Sequence, residues 1–284
     1  MVITGYKGTD AVLDIAGEHR IRAIEKKTFL CCRTLRSVSI PESIEELGDY
    51  CFSMCENLCT VSIGGAPRGD IFGKGVFEGC SSLTKIAFDE AGEGLSKLLA
   101  AAVNLMSAEH LLRADDIGDN FWYEKWDISL MSMLGSDDNY GVRSLAMGGE
   151  EDISYDGLPS VDGEMSVTDN SHMLSIAKKK CELCFLRLKY DDHLSRINRD
   201  KIVSYIRERA YGCKNDYAWR YIRDDCDDKT DYTDIYMSVV EPDRETILRM
   251  IEDPDTRKVQ LKAMLIARAR AGADAVSALD DMML

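Results

Sequence analysis

The stretch Ile21-Arg22-Ala23-Ile24-Glu25-Lys26-Lys27-Thr28-Phe29-Leu30-Cys31-Cys32-Arg33-Thr34-Leu35-Arg36-Ser37-Val38-Ser39-Ile40-Pro41 decides the fold, because its apolar positions return 23 residues later. Ile21, Ile24, Phe29, Cys32, Leu35, Val38 and Ile40 fall in register with Ile44, Leu47, Phe52, Cys55, Leu58, Val61 and Ile63. A third copy carries two extra residues and reads Phe72, Phe77, Cys80, Leu83, Ile86 and Phe88. The loop Gly64-Gly65-Ala66-Pro67-Arg68-Gly69 absorbs the insertion. A partial copy precedes them all, with Val12, Leu13 and Ile15 as its strand. A fixed period of this length is the signature of stacked repeats.

Each copy reads as one turn of a coil. Val38-Ser39-Ile40, Val61-Ser62-Ile63 and Ile86-Ala87-Phe88 alternate apolar with small or polar residues, the period-two pattern of a strand with one buried face. The Phe-x-x-Cys-x-x-Leu segment before each strand makes a turn whose apolar residues point inward. A single turn cannot bury its own core, so neighbours must stack and their strands form a parallel ladder. Pro41 directly follows a strand, where it ends pairing.

These residues resemble the BspA-like class of leucine-rich repeats, whose unit reads Ile-x-x-Ile-x-x-x-Ala-Phe-x-x-Cys-x-x-Leu-x-x-Ile-x-Ile-Pro. The resemblance covers Val12 to Phe88. Where the family favours Ala before Phe, this chain has Thr28, Cys51 and Val76. Proteins with this repeat are typically adhesive or binding proteins, often on cell surfaces, so the resemblance implies recognition rather than chemistry.

Beyond the repeat, the sequence predicts an α+β chain: a short leucine-rich-repeat solenoid over residues 1–92, a capping helix over 93–113, an acidic connecting segment over 114–171, and an α-helical, helical-hairpin-type domain over 172–284. Leu95, Leu98, Leu99, Ala102, Val103 and Met106 have helical spacing, so Gly94 to Arg113 is expected to cover the open end of the ladder. Phe121-Trp122-Tyr123-Glu124-Lys125-Trp126 is too aromatic for a linker and is expected as a docked helix. Gly148 to Asn170 has the composition of loop or disordered chain.

In the last part, Leu174, Ala177, Cys181, Cys184, Phe185 and Leu188 share one helical face, with Lys178, Lys179, Lys180 and Arg187 on others. Ile202, Val203, Ile206 and Ala210 predict a second helix ending near Gly212, and Tyr217, Ala218, Tyr221 and Ile222 a third. Pro242 and Pro254 suit first helical positions. From Pro254 the expected apolar face is Val259, Ala263, Ile266 and Ala269. Gly272 is expected to end that helix, and Ala273 to Met283 to form the last. Leu188–Ser195 and the ending Ala267–Leu279 resemble C-terminal regions that accompany these repeats in Firmicute proteins.

A net charge of −15 disfavours nucleic acid and anionic membrane surfaces as partners. Between Arg113 and His172 there are 14 acidic and 3 basic residues, so much of the excess lies in the middle segment. No apolar run reaches membrane-spanning length. Met1–Gly8 lacks a basic stretch followed by an apolar one, which leads us to expect a cytoplasmic protein; a chain trimmed of a leader would be secreted or on the cell surface. The ten cysteines are read as reduced thiols, because several recur at one inward repeat slot and Cys31 and Cys32 are adjacent.

Catalytic and metal readings find little support. Cys181-x-x-Cys184 lies on an apolar helical face and lacks a second ligand pair at zinc spacing. Cys51, Cys55 and Cys59 occupy different repeat slots. His19, His110, His172 and His193 belong to no metal or nucleophile signature, and no phosphate-binding loop is present. Asp152 to Glu164 lacks the residue order of a calcium loop.

The expected function is therefore non-enzymatic recognition of a protein partner through the outward strand face, with Ser37, Ser39, Thr60, Ser62 and Thr84 as the contact residues. No catalytic, cofactor-binding or metal-binding residue is assigned, and no cofactor is expected. Two other classes stay open: an enzyme with a site in the helical region, gathering His193 with acidic residues and cysteines, and a structural protein that assembles through exposed ladder edges.

Overall fold

The computed structural model describes residues 1–136, 167–225 and 230–282. Seven short strands come first: β1 (Val2–Ile3), β2 (Val12–Asp14), β3 (Ala23–Ile24), β4 (Ser37–Ile40), β5 (Glu46–Leu47), β6 (Thr60–Ile63) and β7 (Lys85–Phe88). They build a parallel solenoid of about four turns. Two ladders run along it, β1-β3-β5 and β2-β4-β6-β7. Val38 pairs with Val61 and Val61 with Ile86, the register required by the 23- and 25-residue periods.

The coils are joined by more than their strands. The amide of Phe29 donates to the Cys51 carbonyl at 2.7 Å and that of Phe52 to the Val76 carbonyl at 3.0 Å, so the turn segments also pair from coil to coil. The rings follow. Phe29 stacks on Phe52 at 4.8 Å, and Phe52 on Phe77 at 5.8 Å. Tyr6 extends this spine to the first coil, its ring 4.9 Å from that of Phe29. Cys55 and Cys80 each donate a thiol hydrogen bond to a Phe carbonyl of the preceding coil, Phe29 and Phe52, both at 3.1 Å. A small side chain with a weak donor therefore suits the slot.

Each turn needs two left-handed residues four apart. Lys27 and Cys31 supply them in one coil, Tyr50 and Met54 in the next, Gly75 and Gly79 in the third, with φ between 58° and 74°. At Gly75 a Cβ would press into the Tyr50 ring of the neighbouring coil, and at Gly79 into the Met54 sulfur. Glycine is thus required where the stack is tightest.

Helices follow: α1 (Glu93–Asn104), a 3-10 turn (Glu109–Leu111), α2 (Asn120–Gly135), α3 (Val167–Lys189), α4 (Arg196–Arg207), α5 (Tyr217–Arg220) leading into a π-helical turn (Tyr221–Asp225), α6 (Thr230–Val240), α7 (Arg244–Glu252) and α8 (Val259–Met282). The described residues form two compact units, 1–133 with 190–195, and 134–189 with 196–284. In the first unit α1 packs on β7. It ends at Asn104 instead of continuing to Arg113, because Ser107 takes a left-handed conformation and the Asn104 amide turns aside to the carbonyls of Ser81 and Leu83. The aromatic run opens α2, with Trp122 and Trp126 buried and their indole N–H groups donating to the carbonyls of Leu111 and Leu98.

In the second unit α3 packs against α4, α5 and α6, and α7 against α8. Phe185 lies among Tyr221, Tyr232 and Tyr236. Several sequence expectations are corrected here. Lys180 and Arg187 are buried on α3; the Lys180 ammonium reaches the Ser136 carbonyl at 2.7 Å, so a long cationic side chain is tolerated where a main-chain acceptor meets it. Residues 167–170 belong to α3 and are not loop, while 148–166 lie outside the described residues.

Pro242 precedes the cap instead of opening the helix, since the Asp243 carboxylate accepts from the Thr246 amide at 2.8 Å and so takes the cap position. Pro254 sits in a turn closed by the Thr256 amide on the Asp253 carbonyl, and α8 starts at Val259. Gly272 does not end α8; alanines on both sides outweigh a glycine cost of about 1 kcal/mol. The buried face of α8 is Leu261, Leu265 and Ala269, and Val259 and Ile266 are exposed. The start of α8 five residues beyond Pro254 leaves that spacing on the outside. Finally, α6 was not anticipated.

Candidate recognition surface

The outward side chains of the β2-β4-β6-β7 ladder fall into two rows set by register. Val12, Ser37, Thr60 and Lys85 form one, and Asp14, Ser39, Ser62 and Ala87 the other. Ser37, Ser39, Thr60, Ser62, Lys85 and Ala87 are half-buried, and Val12 and Asp14 exposed. The alternate residues Val38, Ile40, Val61, Ile63, Ile86 and Phe88 are buried beneath them. The face is therefore flat and bears small hydroxyls at its centre, with an acid at the β2 edge and a cation at the β7 edge.

Four of the five residues named from sequence lie on this face: Ser37, Ser39, Thr60 and Ser62. Thr84 sits one residue before β7, where its amide and hydroxyl both bond to the Cys59 carbonyl, at 2.9 and 3.2 Å. The register sets Lys85 beside Thr60 in its place. Val12, Asp14, Lys85 and Ala87 were not named from sequence. The 25-residue spacings from Thr60 to Lys85 and from Ser62 to Ala87 could have found two of them. Beside the rows, the ion pairs Arg22–Glu45 and Arg33–Glu56 join successive coils at 3.1 and 3.4 Å, and both are solvated.

The other chemistry-bearing residues are placed as follows. The nine cysteines among the described residues are free. Burial pushes the thiols of Cys51, Cys80 and Cys184 upward, away from the reactive thiolate. Cys181 and Cys184 are both core residues of α3. Among the described residues no three His, Cys, Asp or Glu side chains gather to hold a metal ion. His193 is exposed, with its ring 5.1 Å from that of Tyr123. A groove of about 300 Å³ in the second unit is lined by Thr233, Asp234, Met237, Met264, Leu265 and Arg268 among others, without a histidine or cysteine. Asp152 to Glu164 and the remaining acidic segment to 166 lie outside the described residues.

Residues 6–125 match the family described as BspA type leucine rich repeat region, in six copies. The N-terminal part of the chain is thus a leucine-rich-repeat solenoid of the BspA type. The match starts at Tyr6, the first ring of the spine, and continues past β7 through α1 into α2. Repeats of this family are protein–protein interaction modules and typically non-enzymatic. No curated protein and no solved structure matches the chain. Among the described residues no helix is long and apolar enough to cross a membrane.

Proposed function

We propose that the chain is a non-enzymatic recognition protein that binds a protein partner on the β2-β4-β6-β7 face, with Ser37, Ser39, Thr60 and Ser62 at the centre of contact and Thr84 at its margin. The observation that carries this reading is the alignment of small hydroxyl side chains in two rows over a fully packed spine. Those hydroxyls sit on a rigid sheet and are not needed for its core, so a partner meets them at little ordering cost. Tyr, Trp and long cations, which often anchor protein interfaces, are sparse on the face. The partner therefore supplies the large side chains, and the ladder supplies a flat surface with hydrogen-bonding hydroxyls.

The test compares capture by the intact chain with capture by a Ser39→Arg/Ser62→Arg variant, from a lysate of the cells that make the protein. Arginine at both positions blocks the face without entering the core. A partner retained by the wild type and lost by the variant, at unchanged melting temperature, is the expected result. An identical set of retained proteins from both chains excludes this face.

A further inference from the structure

The two ends of the solenoid are finished differently. At the β7 end, α1 packs over the last coil. At the other end the inward residues of the first coil, Ile3, Tyr6, Leu13 and Ile15, remain half-exposed. Their counterparts one coil on, Ile24, Phe29, Val38 and Ile40, are buried. Exposed apolar side chains surround that opening: Val2 is 49% exposed and Val12 is 62% exposed.

The same end carries two open strand edges, since β1 and β2 are the outermost members of their ladders. The Ala11 carbonyl accepts from Ser37 and the Ile15 amide donates to Ser39, so odd-numbered residues of β2 bond toward β4. The main-chain groups of Val12 and Asp14 therefore face outward. By the same alternation Val2 faces outward on β1, because Met1 and Ile3 accept from Arg22 and Glu25.

The geometry points to a symmetric end-to-end dimer, in which β2 of one copy pairs antiparallel with β2 of a second copy about a two-fold axis through Leu13. An apolar opening alone suits many partners. Two unpaired strand edges on one end call for a partner with matching edges, and a second copy has them. In the register centred on Leu13, Val12 and Asp14 of one copy exchange main-chain hydrogen bonds with Asp14 and Val12 of the other. Leu13 then faces Leu13, and the same axis brings β1 alongside β1.

Charge permits this contact. The chain as a whole carries −15, yet at this end the Met1 amino group, Lys7 and Arg20 balance Asp10, Asp14 and Glu18. The lateral face with Ser39 and Ser62 stays open in such a dimer, so the contact is independent of the recognition reading and doubles the surface it offers.

Sedimentation of the full chain between about 1 and 200 µM tests the proposal, a range suited to a small interface. The wild type is expected to pass from monomer to dimer and stop there. Val12→Pro removes an outward N–H, and Leu13→Lys sets two charges together on the axis. Each should weaken the dimer by about tenfold or more. Leu13→Cys should give a covalent dimer with oxidised glutathione, while the wild type, whose Cys31 and Cys213 are exposed, should not. Far-UV circular dichroism checks that each variant is folded, and the cysteine cross-link decides the matter should Leu13→Lys unfold. A monomer at every loading, assembly beyond the dimer, a dimer unmoved by both Val12→Pro and Leu13→Lys, or no Leu13→Cys cross-link overturns the proposal.

Discussion

The rings of Phe29 and Phe52 lie 4.8 Å apart and within 9° of parallel, although 23 residues separate them in the chain. That relationship repeats to Phe77 and back to Tyr6, and it makes the first four coils one stack. Each ring is covered by the next, so a cavity at one level is felt on both sides.

Phe52, in the middle of the spine, should be the most sensitive of these positions. Phe52→Ala is expected to cost about 3–5 kcal/mol, read as a shift in the denaturation midpoint. Phe121→Ala, at a side chain 68% exposed, should change stability by less than about 0.5 kcal/mol. Equal losses from both would contradict the stacked spine.

The left-handed turn residues give a prediction with opposite signs at equivalent positions. Gly75→Ala sets a Cβ against Tyr50 in a backbone with φ 61°, and about 1–2 kcal/mol of stability should be lost. Lys27, in the same slot two coils earlier, has φ 60° and already bears that strain. Lys27→Gly should be neutral or stabilising by up to about 1 kcal/mol. Thermal melts of the two variants separate the signs.

Thiol chemistry should divide the cysteines by depth. Cys31 and Cys213 are exposed and should be alkylated within minutes near pH 8. Cys51, Cys80 and Cys184 are buried with their thiols pushed upward, so raising the pH through the ordinary thiol range should leave them unlabelled in the folded chain. Mass mapping after a short pulse of iodoacetamide, with and without denaturant, gives the result. Labelling of the buried three in the native chain would place them elsewhere.

The α7 cap should be sensitive to acid. Its hydrogen bonds from Thr246 hold the Asp243 carboxyl below the usual range. A depressed value in the fold means that the cap's contribution is complete above the ordinary carboxylate range and is lost as pH falls through the folded value. Exchange of the Thr246 amide, corrected for intrinsic rate, should accelerate on that descent in the wild type. Asp243→Ala should show the fast rate at every pH.

The repeat was legible because its physics is local and periodic: Phe29, Cys55 and Leu58 need only a slot to be recognised. Tyr6 stands 23 residues before Phe29 and was still missed, since the loop around it shares no other repeat residue. The α8 face was misread because Val259, Ala263 and Ile266 have helical spacing, while the start five residues beyond Pro254 buries Leu261 and Leu265 instead. Lys180 and Arg187 escaped because tertiary placement decides when a cation is buried. On the recognition face, Ser39 and Ser62 followed from alternation alone, but Lys85 in place of Thr84 needed the observed pairing.

The central claim is that the hydroxyl-bearing ladder face is where a partner sits, and photocross-linking from that face tests it most directly. A photoreactive amino acid placed singly at Ser39, Ser62, Phe121 or Ile197 in the full chain, irradiated in cells, samples the face and two exposed positions away from it. The account predicts the same protein adduct from Ser39 and Ser62 and none of it from Phe121 or Ile197. Adducts that arise from Phe121 or Ile197 alone would contradict it.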